Sequence, residues 1–160
     1  AADYFQRHQI SALILGDTVT GESREIAKGY AALVKEIRFH PQWLKAPIAL
    51  LSGGETTVTI KGEGRGGRNA EHLLSLLIEL AGMADVYALA CDTDGIDGTE
   101  NNAGAVITPD SLMRAQQLGL SAQIFLDNND AYTFFQQLND LVITGPTYTN
   151  VNDFRVILIL

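Results

Sequence analysis

The sequence has very little cysteine or histidine. It contains one cysteine, Cys91, so no disulfide can form within the chain, and a reducing, cytoplasmic setting is expected. The three histidines, at positions 8, 40 and 72, lack the spacing of metal ligands. These absences exclude a disulfide-stabilised scaffold and a metal site built on histidine and cysteine. We interpret Cys91 as a small buried residue at the end of a strand.

Positive charge and long apolar runs are also scarce. The chain has 11 lysines and arginines against 19 acidic residues, for a formal net charge of −8. Because nucleic acids and anionic membrane surfaces are themselves negative, this balance argues against both as general partners. No apolar run approaches the ~20 residues of a membrane span, and no signal peptide is visible. Any anion site in this chain must therefore be local.

What the chain does contain is a regular alternation of apolar segments. Its 160 residues, 46% of them hydrophobic, suit one core. Helical periodicity marks 22–38, 70–81, 110–117, 121–126 and 131–138, and short apolar runs predict strands at 11–15, 48–51, 56–60, 86–91, 105–107, 141–143 and 154–160. This alternation predicts an α/β fold with a mixed, mostly parallel sheet and helices on both faces, in three layers. The two strands within 48–60 have no helix between them, and neither do the two strands within 141–160, so each of these pairs is expected to be antiparallel.

The region 39–47 predicts a boundary, because it holds two prolines and shows no periodicity. Residues 1–47 are interpreted as the end of a preceding region, made of a strand, a helix and a linker, and residues 48–160 as a second domain. The two parts are expected to form one compact unit. Residues 1–9 read like the last turns of a helix that began earlier, so we expect a longer protein with a further N-terminal domain.

A glycine-rich loop, KGEGRGGRN at 61–69, precedes the helix predicted at 70–81 and carries three of the 11 basic residues. Glycines let the backbone direct N–H groups at a ligand, helix N-termini favour anions, and an arginine can clamp a phosphate or carboxylate. A flexible turn with solvated arginines is the alternative, and the stretch also matches the dinucleotide pattern G-x-G-x-x-G, a weak signal. The predicted anion-binding residues are Gly64, Arg65, Gly66, Gly67, Arg68 and Asn69.

Two further polar loops follow predicted strands, where ligands of α/β sheets bind. The three carboxylates of DTDGIDG (92–98) repel one another unless a cation or donor intervenes, which suits Mg²⁺ held partly by substrate phosphates or a carboxylate that accepts a hydroxyl proton. The loop TGPTYTNVND (144–153) suits a polar substrate such as a hydroxy acid. Hydrogen-bonded turns without a ligand are the alternative for both loops. The candidate residues are Asp94, Gly95, Asp97, Thr147, Asn150, Asn152 and Asp153.

Four motifs in order resemble the C-terminal MOFRL-type domain of the glycerate 2-kinase family, some members of which are labelled hydroxypyruvate reductase. They are LSGGETTV (51–58), GRGGRNAE (64–71), DTDGIDG (92–98) and GPTYTNVND (145–153). The resemblance covers 48–160. It departs at Ala70, where glutamine is expected, at Cys91 with Asp92, where a small residue and glycine are usual, and at Tyr148, where glycine is usual. The first motif follows a predicted strand and can present backbone N–H groups to the same ligand through Ser52, Gly53, Gly54 and Glu55.

The resemblance implies ATP-dependent phosphorylation of glycerate, with Mg²⁺, in a cleft between this domain and a missing N-terminal domain. It implies that Arg68 steadies phosphoryl or carboxylate charge and that Asn150 orients the substrate, and Asp94 is the candidate for a metal or hydroxyl contact. The isolated chain is then expected to be inactive. An NAD(P)H-dependent hydroxypyruvate reductase, a non-catalytic ligand-binding module and a homo-oligomer all stay open.

Overall fold

The structure is a computed structural model that describes residues 1–42 and 44–160. Trp43, within the predicted boundary 39–47, lies outside the described residues. The described helices are α1 (Ala2–Arg7), α2 (Ser23–Phe39), α3 (Arg68–Leu80), α4 (Ser111–Gln117), α5 (Ala122–Asp127) and α6 (Ala131–Leu138). The described strands are β1 (Ser11–Glu22), β2 (Ile48–Thr57), β3 (Val86–Asp92), β4 (Gly104–Ile107), β5 (Leu141–Val142) and β6 (Asp153–Ile159). None of the described helices combines the length and apolar character that a membrane crossing requires.

The strands form one mixed sheet in the order β1-β2-β6-β3-β4-β5. Only β1 and β2 run parallel, and the other four pairings are antiparallel. The predictions of an α/β fold and a mixed sheet are confirmed, whereas the prediction of a mostly parallel sheet is wrong. The cause is β6, the last strand, which inserts between β2 and β3 and runs antiparallel to both. Helices on both faces, in three layers, stay a prediction.

Two predicted hairpins are also absent from the described part of the chain. Residues 48–57 form a single strand, and β5 pairs with β4 rather than with β6. Gly54 explains the first error, because this glycine lets the backbones of β1 and β2 approach each other closely and does not end the strand. Its φ is +123°, and a Cβ atom there would lie 2.2 Å from the carbonyl oxygen of Val19. The β1–β2 register shifts between Ile14 and Val19, so the glycine lets two bulged strands continue side by side.

The core lies between one face of the sheet and the helices. Helix α2 packs on α3, and α3 packs on β3 and β4. Successive side chains of β3 and β6 therefore alternate between the two faces of the sheet. Ala88 and Ile157 are buried in the core, whereas Tyr87 and Leu158 lie on the opposite face, where they line an apolar groove of about 520 Å³ beside α1. The helical periodicity in the sequence therefore identified residues that bury an apolar stripe against this sheet.

Candidate functional site

The insertion of β6 brings the predicted loops to one edge of the sheet. Since β6 runs antiparallel to β2 and β3, its first residue lies beside the carboxyl ends of both strands. Asp153 is paired with Gly54 on one side and with Asp92 on the other. Helix α3 begins at Arg68 next to this edge. The three loops predicted separately from the sequence therefore meet in space.

Arg68 is the residue that joins them. Its Nε donates to Oδ1 of Asp153 at 2.7 Å and its Nη2 donates to Oδ2 of Asp92 at 2.6 Å. Its Nη1 lies 3.5 Å from Oε1 of Glu55, and the side chain stays 25% exposed. Burial alone would lower the pKa of Arg68, but its bonds and charge interactions with Asp153 and Asp92 raise it above the ordinary value. We call Glu55, Arg68, Asp92 and Asp153 the Arg68 cluster.

Asp153 is the buried anchor of this cluster. Its side chain is completely buried, and Oδ1 accepts hydrogen bonds from Arg68 and from Nδ2 of Asn69 at 2.8 Å. Oδ2 accepts from the backbone N–H of Thr56 at 3.3 Å and from the guanidinium of Arg155. Sequence reasoning missed Arg155. The available signal was a charged residue inside the apolar strand DFRVILI, two positions after Asp153 and hence on the same face.

The first turn of α3 binds a carboxylate of the chain itself. Asp97, which is fully buried, accepts hydrogen bonds from the backbone N–H groups of Asn69 at 3.0 Å and Ala70 at 2.8 Å. Gly67 is required here, because a Cβ atom would lie 2.4 Å from Oδ1 of Asp97. Burial raises the pKa of Asp97 to about 6 against the opposing effect of these bonds. The helix N-terminus does attract an anion, as electrostatics requires, but in this structure the anion is Asp97.

The first half of the glycine-rich loop also bonds within the chain. The N–H groups of Lys61 and Gly62 donate to Oδ1 of Asn129 at 2.8 and 3.1 Å, and that of Arg65 donates to Asp130 at 2.9 Å. Gly62 and Gly64 are needed for this contact, since a Cβ atom on either would approach the 128–130 turn to 2.4 Å. Sequence reasoning missed this turn, although its polar triplet NND between two helices was a signal. These amide groups hold the loop on the turn.

Arg65 lies apart from the Arg68 cluster. Its guanidinium pairs with Glu100 and sits 4.5 Å from the centroid of the Tyr132 ring. The stretch 52–54, predicted to present N–H groups to a ligand, takes part in sheet pairing with β1 and β6 on both sides. Ser52 and Gly53 line a cavity of about 490 Å³ together with Thr93. Of the glycine-rich loop, Gly66 and Gly67 are the glycines that lie against Asp97 and Gly98.

The loops 92–98 and 144–152 pack on each other. The backbone N–H of Thr147 donates to the carbonyl of Asp94 at 3.0 Å, and Nδ2 of Asn150 donates to Oδ2 of Asp94 at 3.4 Å. The carbonyl of Asn152 accepts from the N–H and the hydroxyl of Thr93. Gly95 has φ +95°, and a Cβ atom there would lie 2.1 Å from the carbonyl oxygen of Gly145. Asp94 and Asn150 thereby share an open groove of about 390 Å³.

The groove and the Arg68 cluster are connected through Asp92. Its Oδ2 accepts from Arg68, and its Oδ1 accepts from the backbone N–H of Asp94 at 3.1 Å. Burial raises the pKa of Asp92, against the lowering effect of the Asp94 N–H and the Arg68 charge. Arg68, Asp94 and Asn150, the three predicted catalytic residues, thus lie along one continuous set of hydrogen bonds at the same edge of the sheet.

Carboxylates outnumber guanidinium groups at this edge. The charged side chains are Glu55, Asp92, Asp94, Asp153, Arg68 and Arg155. Both arginines are already paired, so a phosphate or carboxylate must displace a carboxylate or arrive together with a cation. Among the described residues, no group of three or more acidic, histidine or cysteine side chains could hold a metal ion. The residues present therefore do not form a metal centre of their own, and Mg²⁺ stays a prediction from the resemblance.

Comparison with known proteins identifies the family of this chain. The model of the MOFRL family matches residues 48–153. Over 150 residues the chain is 39% identical to D-glycerate 2-kinase of Thermotoga maritima, covering 94% of this chain and 36% of that protein. Over 149 residues it is 50% identical to an Agrobacterium vitis protein provisionally named a hydroxypyruvate reductase, covering 92% of this chain and 34% of that protein.

The fold has a close structural counterpart. The crystal structure of the glycerate kinase from Thermotoga maritima superimposes with a TM-score of 0.95 at 37% sequence identity, covering 99% of this chain and 38% of that one. The chain thus spans about a third of the length of the relatives it matches. It is homologous to glycerate kinases over that part of their length. With the sheet, the four motifs and the family model in agreement, the chain belongs to the MOFRL family.

Proposed function

We propose that this chain is the C-terminal domain of an ATP-dependent glycerate kinase, and that it supplies substrate-binding loops to an active site between two domains. The observation that supports this most directly is Arg68, held between Asp92 and Asp153 at the edge where Asp94 and Asn150 also lie. The similarity to glycerate kinases over about a third of their length supports the same proposal, because the rest of their length can accommodate a second domain.

The arrangement suits the electrostatic part of phosphoryl transfer, which relies mainly on positioning and on charge stabilisation. Nη1 of Arg68 has a long contact with Glu55 at 3.5 Å, whereas Nε and Nη2 make short ones. We therefore assign Nη1 as the donor that turns to a substrate carboxylate or to a transferring phosphoryl oxygen. The two strong bonds keep the guanidinium in place while this donor binds, which reduces the conformational entropy lost on binding.

Asp94 and Asn150 are assigned to the substrate hydroxyl. Oδ1 of Asp94 accepts the N–H of Ile96 at 2.9 Å, which orients the carboxylate, and Oδ2 has the longer contact with Asn150. Oδ2 is therefore placed to accept a hydroxyl proton, and the Asn150 amide is placed to donate to a substrate oxygen. ATP would supply the phosphoryl group when bound.

The full-length protein tests this proposal. It should be incubated with D-glycerate, ATP and Mg²⁺ while ADP release and NADH oxidation are followed separately. We expect glycerate-dependent ADP release, and a fall in kcat of about 10²–10³-fold in Arg68→Ala, as is typical when a donor to transition-state charge is removed. Arg114→Gln is the matched control, since it breaks another arginine–aspartate pair, Arg114–Asp140, outside this site. Turnover that is unchanged in Arg68→Ala would contradict the proposed role.

An NAD(P)H-dependent hydroxypyruvate reductase is the second candidate, supported by the name of the Agrobacterium vitis relative. The pattern G-x-G-x-x-G gives it little support, because amides of that loop bond to the 128–130 turn and α3 is capped by Asp97. NADH oxidation with hydroxypyruvate and no consumption of ATP would favour this candidate. Binding of glycerate with neither reaction would favour a non-catalytic module.

A further inference from the structure

Arg155 is a deeply buried positive charge next to the candidate site, and the proposed function does not use it. Its side chain on β6 is 1% exposed. Its guanidinium pairs with Asp153, donates to Oγ1 of Thr56 at 3.0 Å, and reaches the carbonyl of Gly53 at 3.5 Å. Its Nε has no partner among the described residues. A charged group with an unpartnered donor is costly in a core position, so this arginine is not explained by packing alone.

Among the described residues, its charged partner is Asp153, the carboxylate that also holds Arg68. Oδ2 of Asp153 binds Arg155, while Oδ1 of the same carboxylate binds Nε of Arg68 at 2.7 Å. The neighbouring His72 is fully buried, and its pKa is lowered to about 3 by burial and by the Arg155 charge, so it carries no compensating positive charge. Arg155 is therefore the cation that binds Asp153 on the side away from Arg68 and orients its carboxylate.

We propose that Arg155 is a positioning residue, which fixes Asp153 between two guanidinium groups and thereby holds Arg68 toward the open side of the site. This inference rests on the proposed kinase function. Without Arg155, Oδ2 of Asp153 keeps the weak bond from the Thr56 N–H at 3.3 Å. The carboxylate then turns toward Arg68, and the guanidinium moves away from the position in which its Nη1 faces the substrate.

The test uses a double-mutant cycle in the full-length kinase. Arg155→Gln and Asp153→Asn are each expected to lower kcat about 10–100-fold with little change in the KM for ATP, as expected for a displacement of about 1 Å. Because both act on Arg68 through the same carboxylate, the double variant should lose no more than about threefold beyond Asp153→Asn. Arg155→Lys keeps the charge and should recover part of the loss. Arg114→Gln, the matched control, should keep its kcat.

Thermal unfolding of each variant is measured in parallel, and activity is assayed below the lowest midpoint. A crystal structure of Arg155→Gln should show the Asp153 carboxylate turned toward Arg68 and the Arg68 guanidinium displaced from its present position. The inference is overturned if the losses of the two single variants multiply, if Arg155→Gln keeps its kcat within twofold while folded, or if Arg68 stays in place. Should Arg155→Gln not fold, Arg155→Lys decides: partial loss with a displaced Arg68 supports the inference, and full activity overturns it. An inactive wild-type enzyme contradicts the proposed function, whereas the position of Arg68 in the variant crystal still tests the inference.

Discussion

The free energy of unfolding is expected to depend on pH through the carboxylate of Asp97. This carboxylate is fully buried at the first turn of α3, and burial raises its pKa from the ordinary 3.8 to about 6. In an unfolded chain the group would titrate at its ordinary value. Between these two pKa values the folded state binds more protons than the unfolded state, so the free energy of unfolding falls as the pH rises. Each pKa unit corresponds to 1.36 kcal/mol, and the unfolded group is already partly ionised at pH 4, so this group lowers stability by about 2.4 kcal/mol between pH 4 and pH 7.

The replacement Asp97→Asn isolates this effect. An amide does not titrate and keeps one acceptor oxygen, for the N–H of either Asn69 or Ala70. Whatever the constant cost of the lost bond, the variant should gain about 2.4 kcal/mol relative to wild type as the pH rises from 4 to 7. The assay is urea unfolding of both proteins at half-unit pH steps, reporting the difference in free energy at each pH. Asp110→Asn is the control of opposite sign, because a hydrogen bond from Thr108 lowers the pKa of that exposed carboxyl.

The reasoning would be refuted if the difference in free energy of unfolding between Asp97→Asn and wild type did not change with pH, or if wild type became the more stable of the two as the pH rises. Either result would mean that the two N–H bonds and the helix dipole stabilise the Asp97 carboxylate by more than burial destabilises it. The sign of the slope therefore decides which of two opposing effects is larger at this helix N-terminus.

Three other predictions concern single positions. Arg65→Ala should leave the proposed glycerate-dependent ADP release of the full-length protein within about threefold of wild type, since Arg65 pairs with Glu100 and Tyr132 and exposed pairs contribute little. A loss near that of Arg68→Ala would instead support an anion site that includes Arg65. Gly54→Ala should lower the free energy of unfolding measured in urea by about 2–4 kcal/mol, because its Cβ atom would lie 2.2 Å from a carbonyl oxygen. Gly29→Ala in α2 is the control: a Cβ atom there has nothing within 4 Å, so the helix should be stabilised by about 0.5–1 kcal/mol. Cys91, whose pKa burial raises to about 11, should react with iodoacetamide at pH 8 much more slowly than a free thiol, and equal rates measured by mass spectrometry would contradict this.

Local periodicity identified most of the elements. Helices α2 to α6 were predicted to within two residues at each end, and α6 was predicted at 131–138, where Phe134 and Phe135 are fully buried. This worked because a helix shows its buried stripe in its own sequence. The four motifs likewise identified the family without knowledge of the sheet. The departure at Tyr148 also has a local reason, since its φ of +59° is a conformation that glycine adopts without strain.

Strand pairing, in contrast, was decided by the tertiary structure. The sequence of β6 does not state that this strand lies between β2 and β3, and this placement makes the sheet mostly antiparallel. The same placement puts Asp153 opposite both Gly54 and Asp92, which creates the Arg68 cluster. Pairing partners are distant along the chain, so a period-2 pattern in one strand carries no information about its neighbours.

The roles of individual polar groups were decided in the same way. The sequence determined that glycines, arginines and carboxylates would concentrate in three loops of an acidic α/β chain. Only the folded chain decided that Asp97 caps α3, that the first glycines bind the 128–130 turn, and that Arg155 stands behind Asp153. The physical reason is that a buried N–H or charge is satisfied by whichever acceptor or counter-charge the fold brings within about 3 Å, and that choice is made across the whole chain.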